Sequence, residues 1–124
     1  MTTEKALEIL NSNYSGLSGS MTYYLYEESL FSKKSFWELY DSIITLADRK
    51  NTKNIREDII MKITQSYRNI LKVFVYHFDK HDSCRIEGFP DNYYEYIERL
   101  DDAVNSLFTG VLVDDSIYSL QRDD

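Results

Sequence analysis

The residues best equipped for chemistry in this chain lie together near position 80. His77 and His81 stand four apart, so on a helix their imidazoles share one face, and Cys84 follows just beyond. Three such ligands could begin a zinc site, with Asp79 or Asp82 as a fourth donor. The segment reads His77-Phe78-Asp79-Lys80-His81, however, without the glutamate that follows the first histidine in zinc hydrolases. Cys84 activated by His77 or His81 would be a nucleophile, but the local signatures of cysteine hydrolases are missing. The expectation is surface and loop-packing roles here, with no metal, no cofactor and no catalytic set.

Other chemical patterns are weaker. The pairs Glu27-Glu28, Asp101-Asp102 and Asp114-Asp115 are consecutive, and neighbours on a helix point about 100° apart, which prevents an acid/base dyad from forming by adjacency. Gly16-Leu17-Ser18-Gly19 has neither the spacing nor the lysine of a phosphate-binding loop. Tyr23, Tyr24, Tyr26 and Trp37 could stack nucleobases, yet no basic groove accompanies them.

Charge is more informative. Residues 91–124 hold 2 Lys/Arg against 9 Asp/Glu, a balance of −7 that equals the net charge of the whole chain. The acids are interleaved with tyrosine. Such a surface suits a cationic protein, because carboxylates steer a basic partner and tyrosine offers contact area at small entropy cost. The residues expected to bind it are Asp91, Tyr94, Glu95, Glu98, Asp101 and Asp102, followed by Asp114, Asp115 and Tyr118.

The elements that must position these groups are helices. Gly and Pro are few among 124 residues, and long stretches pass without a breaker. A short helix over 3–11 precedes a Ser/Asn/Gly loop to residue 20, and residues 21–31 suit helix or strand. Ser35 with Glu38 matches a capping box, and Phe36, Leu39, Tyr40, Ile43, Ile44 and Ala47 predict a helix from Lys33 to Arg49. From Ile55, the series Ile59, Ile63, Tyr67, Ile70, Phe74, Phe78 predicts a central helix of roughly six turns, with residues 70–78 also compatible with a strand. Asp91 is placed to cap a last long helix whose buried stripe is Tyr93, Ile97, Leu100, Val104, Leu107 and Phe108, stopped by Gly110. Val111 to Leu120 is either a final helix around 116–120 or an extended tail. The fold expected is all-α, one antiparallel bundle of about four to five helices over residues 1–124.

Composition bounds the rest. With 43% hydrophobic and 15% aromatic residues the chain can build one core. The acidic balance argues against nucleic acid and anionic membranes. No apolar run approaches a bilayer span, Met1-Thr2-Thr3-Glu4-Lys5 does not open a secretory signal, and the single cysteine fits a reducing compartment. A cytoplasmic monomer is expected.

Two stretches, LYEESLFSKKSFWELY (25–40) and IEGFPDNYYEYIERLDDAVNSLFTG (86–110), about a third of the chain, resemble a helical family of bacterial immunity proteins. These neutralise polymorphic toxins such as those of contact-dependent growth inhibition. The resemblance implies an antitoxin that blocks one cognate toxin domain. Many such toxins are nucleases, whose cationic cleft an acidic face could fill as a phosphate mimic. The competing readings are a self-associating adaptor and, last, a metal-dependent enzyme built on His77, His81 and Cys84.

Overall fold

In a computed structural model, residues 1–83 and 85–122 are described, and five α-helices with no strand form among them. The chain is an all-α helical bundle. Helix α1 (Thr3–Ser15) starts where the Thr2 hydroxyl accepts the Lys5 N–H at 3.1 Å, and it buries Ala6, Ile9 and Leu10 at helical spacing. It continues through residues 11–15, expected to be loop, because Asn13 turns inward. Its amide donates to the Ile9 carbonyl at 3.0 Å, and its side-chain oxygen accepts the Thr22 N–H at 3.3 Å. An asparagine satisfied on both sides need not end a helix. Gly16, in the left-handed region, does so.

The ambiguous residues resolve into helix α2 (Met21–Glu27), capped by Ser20. The chain then turns at Ser29, and residues 29–31 meet Glu87 in an isolated parallel bridge, with Glu87 N–H donating to Ser29 O at 2.7 Å and Phe31 N–H to Glu87 O at 2.9 Å. Helix α3 (Lys33–Ala47) begins where expected, but its cap is Ser32, which accepts the Ser35 N–H. Ser35 is one turn inside and donates to Gly19 O at 2.9 Å, so the expected Ser35/Glu38 box is displaced by three residues.

Helix α4 (Glu57–Phe78) is unbroken through residues 70–78, where burial of Ile70, Val73 and Phe74 overrides their strand preference. Helix α5 (Tyr93–Thr109) is capped at Asn92 without a side-chain bond, and Asp91 is exposed in the preceding turn instead of capping. At Gly110 (φ 72°) the helix stops, and a Cβ there would come within 3.2 Å of Arg49 Nε, whose Nη2 donates to the Leu107 carbonyl at 2.7 Å.

One buried cluster draws on all five helices. Helix α3 packs on α1 and α5, while α4 packs on α1, α2 and α5. The centre is aromatic: Tyr96 meets Phe36 at 4.8 Å and Phe31 at 5.0 Å, with Trp37 and Tyr40 alongside. Each edge-on pair adds about 1 kcal/mol beyond burial of area. Residues 111–122 then run back across the bundle with only a 3-10 turn at Asp115–Ile117, which is the extended tail of the two expectations. No helix among the described residues is long and apolar enough to cross a membrane.

Candidate functional site

The buried stripe of α5 is Tyr96, Arg99, Leu100, Ala103, Val104 and Leu107. It is rotated from the expected stripe: Tyr93 and Ile97 sit at its margin and Phe108 is 63% exposed. The rotation follows from Tyr96, whose ring the aromatic centre takes in. It also turns a different row outward. Tyr94, Glu98, Asp101, Asn105 and Phe108 are all exposed and recur at i, i+4, i+7, i+11 and i+14. At 3.6 residues per turn they lie within roughly 40° of one line, about 21 Å long.

No lysine or arginine pairs with Glu98 among the described residues, and Tyr94 is 60% exposed. Asp101 is exposed but accepts the Tyr67 hydroxyl at 2.8 Å. That phenol is held well above its ordinary range, first by burial and then by the adjoining carboxylate. Asp91 is exposed just ahead of the row, and half-buried Glu95 accepts the Asn92 amide at 2.8 Å beside it.

The remaining expected residues are turned to a different task. Asp102 accepts the Tyr118 hydroxyl at 2.6 Å, and Tyr118 too is held above its usual range by burial and this carboxylate. Asp114 accepts the Ser116 N–H at 2.9 Å and caps the 3-10 turn, which lowers its own pKa. Asp115 binds Arg99 Nη1 at 2.5 Å and Arg122 Nη1 at 3.0 Å, and the Arg99 bond, first, holds its carboxyl below the usual carboxylate range. The nine residues thus divide. Asp91, Tyr94, Glu95, Glu98 and Asp101 gather along or beside the outer row, whereas Asp102, Asp115 and Tyr118 fasten the tail and Asp114 caps the turn inside it.

No known protein family, curated protein or solved structure matches this chain.

Arg99 is the residue that sequence reasoning missed. It is 0% exposed, and its guanidinium donates to Leu120 O at 2.7 and 3.3 Å and to the Tyr40 hydroxyl at 3.1 Å, under the Tyr118 ring at 4.0 Å. Its position three residues after Tyr96 and one before Leu100 was the available signal: a base on the apolar stripe must find partners inside. Arg122, also unassigned by sequence, pairs with Asp41 and Asp115 and lies 5.1 Å over the Trp37 ring.

Of the two histidines near position 80, His77 is engaged in packing. His77 Nδ1 accepts the Ile86 N–H at 2.9 Å while its ring stacks on Phe89 at 4.0 Å. Burial, then the nearby Arg85 charge, lowers its pKa and favours the neutral ring. His81 is exposed, and its backbone N–H donates to Asp79. Cys84 lies outside the described residues, and no group of three or more metal-ligating side chains forms among the described ones.

Proposed function

We propose that this protein is an immunity-type inhibitor that docks the outer face of α5 on a basic protein, a toxin domain made in the same bacterial cytoplasm. The observation that carries the reading is the outer row itself: an unpaired carboxylate at Glu98, with Asp101 beside it and exposed rings of Tyr94 and Phe108 towards the ends. Carboxylates without internal cations keep their long-range field, which raises the encounter rate with a positive cleft about 10-fold to 1000-fold. Rings at the ends give the contact area that holds the complex once formed. A nuclease is the toxin class that fits best, because its cleft is already built to receive phosphate charge.

The resemblance of residues 25–40 and 86–110 to helical immunity proteins supports the same reading. Self-association is the second reading, favoured by exposed Phe78, Phe108 and Ile117. Like charge on α5 opposes face-to-face pairing of two copies, and light scattering separates the two cases. The direct test is co-expression with the variable carboxyl-terminal domain of a large secreted protein encoded beside this chain. Growth rescued by the native protein, and lost with Glu98→Lys at equal levels of folded protein, supports the inhibitor. Rescue that is indifferent to substitutions along the row contradicts the site.

A further inference from the structure

We propose that residues 111–122 form a detachable strap that completes the docking face when closed, so that a basic partner selects the closed state. The strap is held chiefly by side chains. Among its side chains only Leu120 is fully buried; Val111 is 68% exposed and Ile117 69%. Its backbone-to-backbone hydrogen bonds among the described residues are internal, Ile117 N–H to Asp114 O and Tyr118 N–H to Asp115 O. Attachment therefore falls to side chains: Arg99 to Leu120 O and Asp115, Tyr118 to Asp102, and Arg122 to Asp41. A segment with little buried apolar area and no ladder to its neighbours belongs to the low-stability end of a structure.

What lies beneath makes release easier still. The Leu120 side chain joins the buried apolar cluster, but its carbonyl rests on the Arg99 guanidinium, and water re-entering the groove solvates Arg99 as the strap leaves, which offsets part of the lost bonding. The indole N–H of Trp37 is likewise buried without a hydrogen-bond partner among the described residues, beside Arg99 and under Arg122, and opening lets water reach it.

Closure shapes the surface next to the outer row. The closed strap sets Ile117 and Tyr118 against Glu95 and Glu98 around a depression of about 120 Å³, and its Asp115 neutralises Arg99. Opening removes that wall and leaves Arg99, on the buried side of α5, without its carboxylate. A positively charged partner thus binds the closed form better and shifts the equilibrium toward it. This coupling to a partner rests on the reading in the preceding subsection; the strap itself does not.

The experiment uses the full chain in urea, which leaves the ion pairs unscreened as a guanidinium salt would not. Trp37 is the single tryptophan, so its emission reports the strap while far-ultraviolet circular dichroism reports the helices. The expected result is a red shift of Trp37 emission at lower urea than the loss of helix, with Arg122→Gln moving the first transition down and leaving the second in place. Coincident curves in the native protein overturn the strap without touching the docking reading. Failure of Glu98→Lys to weaken rescue overturns the docking reading without touching the strap.

Discussion

Tyr94 and Tyr96 sit two residues apart in the same acidic run and live in opposite surroundings, one 60% exposed and the other 1%. The difference extends to the acids around them. On the outer side of α5, Glu98 is unpaired and Asp101 meets only a phenol, whereas on the inner side Asp102 and Asp115 are spent holding the tail through Tyr118, Arg99 and Arg122. A dense acidic segment is therefore two things at once, a latch and a free face. The two bases of residues 91–124, Arg99 and Arg122, decide which acid does which, because both are consumed inside the latch and none remains to quench the outer row.

The largest expected effect separates the two tyrosines. Tyr96→Ala removes the ring that Phe31 and Phe36 pack on and should cost about 3–5 kcal/mol in denaturant unfolding. Tyr94→Ala should leave stability within about 0.5 kcal/mol. It should instead weaken partner binding by about 2 kcal/mol, roughly 30-fold in Kd by calorimetry, as truncation of an interfacial anchor does. Equal effects of the two substitutions on stability would erase the distinction between the faces.

A smaller effect tests the latch. Asp115→Asn replaces a charged acceptor on half-exposed carboxylate ground and should cost about 1–2 kcal/mol after allowance for solvent screening, read as an earlier Trp37 transition. Because the folded carboxyl sits below its unfolded value, its contribution is complete above about pH 4–5 and is lost as pH falls through the lowered value. The aspartate should therefore show an acid-side loss of Trp37 burial that the asparagine lacks. Its charged and titratable surroundings are Arg99 from α5, Arg122 and Asp114 from the strap and the Tyr40 phenol from α3, with Asp41 on the far side of Arg122.

The smallest effect is alkaline. Tyr118→Phe forfeits the bond to Asp102 and should cost about 1 kcal/mol at neutral pH. The folded phenol is raised above its unfolded value, so its contribution is present below about pH 10 and disappears as pH climbs through the raised value. Spectrophotometric titration should show Tyr67 and Tyr118 among the late-ionising tyrosines of the native protein, with Tyr26 and Tyr40 also raised, and one fewer in the phenylalanine variant.

The helices were legible where period and burial agreed. Lys33, Phe78 and Gly110 mark observed boundaries because Ser32 caps, His77 meets the returning loop and a left-handed glycine stops α5. Legibility failed where tertiary partners replaced local ones: Asn13 looked like loop composition but is bonded to Thr22, and residues 70–78 also suited a strand but bury Ile70, Val73 and Phe74 against the bundle. The site was half legible. Composition located the acids near α5, yet it could not tell Glu98 from Asp115, since that depends on where Arg99 points. An arginine on an apolar stripe carries that information only once its neighbours in space are known.

The outer row is tested most directly by the association rate of Glu98→Lys with the proposed basic toxin domain, followed by stopped-flow mixing at low and at high ionic strength. Asp101 is the poorer choice because reversal there also breaks the Tyr67 bond. The expected result is slower association at low salt and a flatter salt dependence than the native protein, with stability unchanged. An unaltered rate at low ionic strength would contradict an electrostatic docking face on α5.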